Sequence, residues 1–289
     1  MSRHADSARP AAGLELFPRL PAEVCQPLRD NYYLGTSGYQ FDDWRGTVYP
    51  AHVNERGLLG YYLHMFRFNA LELNYTFYSM PSARTLQVFA ERTPAGFQIA
   101  VKAHQEITHA TLQREPRGAF RSFSEALCPL REAGKLAAVL LQFPFRFRNT
   151  PENRAYLGTC REAFGDDPVA VEFRHASWIA PEVEPLLRGL DLAYCSADEP
   201  ALEGLVPFHA AVTAPLGYAR FHGRNREWFT AGEKRRYDYD YSDDELRALV
   251  QRVSGMAGGV RKLLLFFNNC YMGRAVKNAL RFRELLHEC

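Results

Sequence analysis

Short apolar runs recur along the chain at Tyr32–Thr36, Ala70–Leu73, Gln98–Val101, Ala137–Leu141, Val169–Glu172, Leu192–Ser196, Tyr218–Phe221 and Lys262–Phe267. Most lack strict apolar/polar alternation, as suits parallel strands buried on both faces. Helical patterns lie between many of them. Glu55–Arg67 carries Leu58, Leu59, Tyr62, Leu63 and Phe66 on one broad face. Ser82 reads as an N-cap, with Leu86, Phe89 and Ala90 following at helical spacing. Phe120–Arg131, Glu152–Phe164 and Pro181–Leu187 read as helices as well. Ser242 and Glu245 form a capping box opening Asp243–Val253, and Tyr271–His287 is the last amphipathic helix.

Alternating strands and helices imply right-handed crossovers and a parallel sheet. Eight runs with mostly short spacers predict a single (β/α)8 TIM-type barrel over residues 29–289. Residues 199–217 carry Pro200, Gly204, Pro207, Pro215 and Gly217, so the unit after the sixth strand is expected to be irregular. Residues 1–28 are read as a flexible N-terminal extension. No GxGxxG follows the first strand, which argues against a dinucleotide cofactor.

Composition adds exclusions. The 35 basic and 33 acidic residues of this 289-residue chain leave a net charge of +2, without the excess of a dedicated nucleic-acid binder. Cysteines at 25, 128, 160, 195, 270 and 289 form no CxxC pair, which predicts free thiols in a reducing compartment. Met1–Pro21 lacks the continuous apolar stretch of a signal peptide, and no run approaches a membrane span. A cytoplasmic protein is expected, with no membrane partner; the oligomeric state is left open.

In such barrels the active site forms at the C-terminal ends of the strands. Here the apolar runs end in Glu72 and Asn74, Lys102, Gln142, Glu172 and Arg174, Arg220 and His222, and Asn268 and Asn269. Strands exiting to solvent explain an Asn, but charged residues directly at several strand ends point to a functional mouth. Glu72, Glu172, Lys102 and His222 are the candidate catalytic residues. Tyr39, Trp44, Asn74, Tyr78, Gln142, Arg174, Trp178, Arg220, Asn268 and Asn269 are the candidate substrate-binding residues. A pair of carboxylates suits acid–base work if their environments differ. Tyr39, Trp44, Tyr78 and Trp178 offer faces for stacking, and Arg174 and Arg220 suit an anionic group. Nearby carboxylates are expected to keep Lys102 protonated, which disfavours Schiff-base chemistry.

The same residues form ordered motifs. They are Gly35-Thr36-Ser37-Gly38-Tyr39; Glu72-Leu73-Asn74-Tyr75-Thr76-Phe77-Tyr78; Leu141-Gln142-Phe143-Pro144; Val171-Glu172-Phe173-Arg174-His175 with Ser177-Trp178; Arg220-Phe221-His222-Gly223; and Phe267-Asn268-Asn269. With Lys102 and Ile107-Thr108-His109, they make the chain resemble the YecE-like family, domain of unknown function 72, from about residue 32 to 285. The resemblance implies a barrel and supplies no activity. Tyr39 departs from the Trp that the family favours, a change that preserves an aromatic face.

The expectation is an enzyme, of hydrolase or isomerase class, acting on a small polar, sugar-like or anionic molecule by acid–base catalysis. It requires no cofactor and no metal, since no HExxH or paired-His motif occurs. One alternative is a nucleic-acid-associated or regulatory binding protein, resting on Arg220, Arg224, Arg226 and residues 234–236 with Trp228, Tyr237 and Tyr239. Asp238, Asp240, Asp243 and Asp244 offset that charge, so a solvated loop is expected there. The other alternative is a metal-dependent hydrolase or isomerase. A ligand-serving Glu172 predicts little stability change for Glu172→Gln, whereas a purely structural one predicts a loss of roughly 3–5 kcal/mol. The sequence favours the former.

Overall fold

A computed structural model describes residues 31–109, 116–232 and 235–288. The predicted extension at 1–28, together with Cys25, Lys234 and Cys289, lies outside the described residues. Eight parallel strands form one sheet: β1 (Tyr32–Thr36), β2 (Ala70–Leu73), β3 (Gln98–Lys102), β4 (Leu136–Gln142), β5 (Val169–Glu172), β6 (Ala193–Asp198), β7 (Leu216–Phe221) and β8 (Lys262–Phe267). The helices between them are α1 (Glu55–Tyr61), α2 (Ala83–Arg92), α3 (Gln105–Thr108), α4 (Arg117–Ala126), α5 (Cys128–Glu132), α6 (Pro151–Phe164), α7 (Val183–Gly189), α8 (Asp243–Ala257) and α9 (Arg274–Glu288). The architecture is the expected (β/α)8 barrel, and no helix occupies residues 199–215 between β6 and β7.

Two predicted helices differ in detail. The segment predicted over Glu55–Arg67 is α1 followed by a π-helical turn, Tyr62–Phe66, that ends at Arg67 in the left-handed region. The segment predicted over Phe120–Arg131 divides into α4 and α5, with Pro129 opening the second. The capping box of Ser242 and Glu245 is formed as predicted.

Strand periodicity sorts the residues. Ala70, Ala100, Ala138, Ala170 and Ala193 fill the barrel interior with Leu140, Tyr218, Leu264 and Phe266. The alternate set, including Leu71, Val101, Val171, Phe221 and Phe267, packs against the helical ring. Small interior residues leave room for Tyr218 and Phe266, whose rings lie 5.5 Å apart.

The ladder runs continuously from β1 through β8 round to β2. Between β1 and β2 it is reduced to a bridge between Ser37 and Glu72. Side chains span the rest of that seam. The Leu34 amide donates to Asn69 Oδ1 at 2.7 Å, and Asn69 Nδ2 donates to the Tyr32 carbonyl at 3.0 Å. The Thr36 amide donates to the Tyr62 hydroxyl at 3.1 Å, which donates on to the Ala70 carbonyl at 3.4 Å. Gly35 lies in this seam, where a Cβ would stand 2.0 Å from the Ala70 oxygen.

Candidate active site

The period of two that sorts the core also builds the mouth. Continuing the interior parity of each strand past its apolar body gives Ser37, Glu72, Lys102, Gln142, Glu172 and Arg174, Arg220 and His222, and Asn268. The charged members form a network beneath the opening. Arg220 donates from one nitrogen to Glu172 Oε2 and from the other to Glu72 Oε1, both at 2.7 Å. Tyr218 donates to the second oxygen of Glu72 at 2.6 Å. Arg174 stands 2.6 Å from Glu172 Oε1 and donates to Glu199 Oε2 at 2.7 Å. Asn268 Nδ2 lies 2.8 Å from His222 Nδ1, and His222 Nε2 lies 3.2 Å from Arg174 and 3.3 Å from Glu172 Oε1.

Burial and charge set the protonation states. Burial alone would raise the Glu172 carboxyl, but Arg174 and Arg220 outweigh it and hold the group well below the usual carboxylate range. Burial, reinforced by Arg174, pushes His222 down to about 3, so its imidazole is neutral at pH 7. Glu199 is pushed up to about 7 by burial, against the pull of Arg174. Lys102 is pushed down to about 7, by burial first and by Arg220 next, more than Glu172 and Glu72 raise it. Glu172 and Glu72 do favour the protonated lysine, as expected, but both are already spent on Arg220 and do not offset burial. The Lys102 ammonium donates to Gln142 Oε1 at 2.8 Å and sits 4.1 Å above the Phe77 ring.

A cavity of about 640 Å3 opens above the network. Lys102, Gln142 and Arg174 form its floor, and Phe77, Tyr78, Phe145 and Trp228 stand on its walls. A deeper compartment of about 170 Å3 adjoins it, reaching Ser37, Asn74, Arg220 and Asn268. Thus Asn74, Tyr78, Lys102, Gln142, Arg174, Arg220 and Asn268 meet at one mouth. Glu72, Glu172 and His222 lie fully buried beneath it.

Four candidates lie elsewhere. Trp44 is buried between Phe41 and Tyr49, its indole donating to the Cys270 carbonyl at 2.6 Å. Trp178 stacks 4.0 Å from Phe173 and donates to the Phe147 carbonyl. Tyr39 packs on Tyr62 and Phe89. Asn269 has the opposite parity to Asn268, so it turns outward and bonds the Tyr239 carbonyl and Asn278 Oδ1. None of the four lines either compartment.

The segment after β7 is solvated over Arg226, Glu227, Phe229 and Thr230, as expected of a loop, while part of it turns inward. Trp228 is 3% exposed and is flanked by Arg174 and Arg236 at 5.5 and 5.8 Å from its ring. Trp228, Phe229, Arg236 and Tyr237 all reach the cavity. Asp198 anchors the segment, accepting from Arg224 at 2.8 Å and from the Tyr241 hydroxyl at 2.7 Å, which itself accepts from the Gly223 amide. Gly223 has φ +91°, and a Cβ there would meet Tyr239 at 2.5 Å, so the turn that folds the segment back requires glycine. Trp228, Arg236 and Tyr237 stood out in the sequence only as a basic and aromatic surface, because the acidic residues interleaved with them read as solvated, and Phe229 carried no signal. Glu199 carried no local signal; Tyr218 and Ser37 were accessible from interior parity alone.

Among the described residues, no three of His, Cys, Asp and Glu stand where they could share a metal ion. No helix among them is long and apolar enough to cross a membrane. Cys128, Cys160, Cys195 and Cys270 are free thiols.

Fold and mouth together define a TIM-type barrel with a buried arginine–carboxylate network at the C-terminal ends of its strands. The chain belongs to the family described as "Protein of unknown function DUF72", whose model matches residues 33–289. It is 32% identical over 271 residues to the UPF0759 protein YunF of Bacillus subtilis (strain 168), covering 88% of this chain and 94% of that one. A solved DUF72 family protein from Thermotoga maritima MSB8 is 39% identical, with a TM-score of 0.84 over 89% of this chain and 99% of that one. Another from Enterococcus faecalis V583 is 26% identical, with a TM-score of 0.76 over 89% and 95%.

Proposed function

We propose that the barrel mouth is the active site of an enzyme that acts on a small anionic molecule by proton transfer through Lys102. The observation that carries this reading is the charge of the floor: Lys102 and Arg174 line both compartments, Glu72 and Glu172 lie beneath with their oxygens on arginines, and the lining carboxylates Asp42 and Asp43 belong to the outer cavity alone. A floor so arranged attracts an anion. The carboxylates are then positioning residues, since a fully paired, strongly acidic Glu172 is a poor proton acceptor at neutral pH. Lys102 titrates near neutrality, where one group serves both as acid and as base. The neutral amine takes a proton from the bound substrate, and the ammonium returns it, as isomerase or hydrolase chemistry requires. Gln142 and Phe77 hold the amine at the floor. Arg174, oriented by Glu172 and Glu199, anchors the negative charge through its planar fork.

The test is incubation with a library of polar organic acids and sugar acids in D2O, followed by NMR. Loss of a substrate proton signal, or its conversion to product, is expected, and Lys102→Met abolishes either. Anion affinity should fall as pH rises through about 7, because the ammonium becomes neutral there; Lys102→Arg should keep affinity flat to pH 9 without proton transfer. Turnover undiminished in Lys102→Met would refute the assignment.

A further inference from the structure

Ser37 is fully buried and lines the deeper compartment, and its hydroxyl has no partner in the protein. Asn74 Oδ1, on the same wall, is also buried without one. Buried polar atoms are otherwise nearly always paired, and leaving one unpaired is costly. Lys102 and Arg220 line the same compartment, but their nitrogens are turned to Gln142, Glu72 and Glu172, and neither Asn74 Oδ1 nor the Ser37 hydroxyl has a hydrogen-bond partner in the protein.

From this juxtaposition we infer that the deeper compartment takes the head of a 2-hydroxy acid, carboxylate toward Lys102 and Arg174 and hydroxyl toward Asn74 and Ser37. The inference rests on the anionic reading of the mouth and narrows it. An acceptor such as Asn74 Oδ1 requires a donor from the ligand, which a bare carboxylate lacks and an adjacent hydroxyl supplies. At about 170 Å3 the compartment matches the liquid volume of roughly six waters at about 30 Å3 each, room for the carboxylate, the adjacent carbon and its hydroxyl. The rest of the ligand extends into the outer cavity, where Phe41, Tyr78, Phe145, Trp228 and Tyr237 present ring faces and edges, so a planar or aromatic body fits. A phosphate monoester shares the chemistry of negative charge beside an O–H. The sequence offers no glycine-rich loop of backbone amides to cradle a phosphate, which favours the carboxylate.

Calorimetric titration of the whole chain with mandelate, phenylacetate and inorganic phosphate tests this. Mandelate and phenylacetate differ only in the hydroxyl, so mandelate is expected to bind about tenfold tighter, the worth of one or two hydrogen bonds. Asn74→Ala should remove most of that preference with the phenylacetate affinity unchanged; Ser37→Ala, which alters no strand residue, repeats the measurement if the first variant folds poorly. Equal affinity for mandelate and phenylacetate overturns the hydroxy-acid inference and leaves the anionic site standing. Binding of phosphate in preference to both carboxylates overturns it too. Binding of none of these anions refutes the reading of the mouth itself.

Discussion

Replacing Glu172 by Gln tests how the network is held. The side chain is fully buried, with Arg174 at 2.6 Å and Arg220 at 2.7 Å on its two oxygens. Gln keeps the shape and one acceptor, but it removes the charge and turns an amide donor toward a guanidinium. Two buried arginines are left with Glu72 and Glu199 as counter-ions. Removing one partner of a buried pair costs about 3–5 kcal/mol, a large part of a typical total of about 5–15 kcal/mol. For a domain of this size that lowers Tm by roughly 6–20 °C. Urea denaturation followed by circular dichroism measures it as a lower midpoint at unchanged slope. Arg174→Met on top of Glu172→Gln should restore part of the loss, since the two effects couple. The sign with pH follows from the lowered folded-state pKa. The Glu172 contribution is fully present above the unfolded value of about 4.3 and is lost as pH falls through the lower folded value, so the two proteins should converge in acid. A loss below about 1 kcal/mol at pH 7, with no coupling to Arg174, would refute the reasoning and return Glu172 to the ligand-serving role that the sequence favours.

Two further changes have defined outcomes. Gly35→Ala drives a methyl into the Ala70 carbonyl and should lower stability by at least about 3 kcal/mol or prevent folding; a normal melt would show that the β1–β2 seam gives way easily. Asp198→Asn weakens the anchor shared by Arg224 and Tyr241, so trypsin should cut within 224–236 several times faster with the barrel still folded; an unchanged cleavage rate would show that the segment is held by its aromatic contacts instead.

The strands and their order were legible because each apolar run is short, β-rich and separated by a helical pattern. Which strand-end residues meet was legible only in part. Asn268 and Asn269 look alike as sequence, and one faces the mouth while the other clamps α9; counting parity from Leu264 and Phe266 separates them. Trp44 and Trp178 sit beside strand ends in sequence, but a large indole next to an apolar run is more readily a packing element, and both spend their N–H on a backbone carbonyl. The charges of Glu72, Glu172 and Arg220 were visible, yet not that they neutralise one another. Pairings between residues as distant as Glu72 and Arg220 depend on barrel closure, which no local pattern encodes. The aromatic wall after β7 was hidden for the same reason: Trp228 packs beside Arg174, which comes from another strand end.

Elsewhere around the barrel, neighbouring strands are joined by main-chain groups that every residue except proline carries, so most substitutions leave those joints intact. Between β1 and β2, below the main-chain bridge of Ser37 and Glu72, the joint belongs to two particular side chains, Asn69 and Tyr62. Closure of the ring is therefore a heritable trait of those two positions rather than a generic property of the backbone. The π-helical turn that delivers the Tyr62 hydroxyl is under the same constraint, since a turn of ordinary pitch would aim that ring elsewhere. Mutational tolerance around the barrel should thus be uneven, lowest along one line that runs up to Ser37 and Glu72 at the mouth.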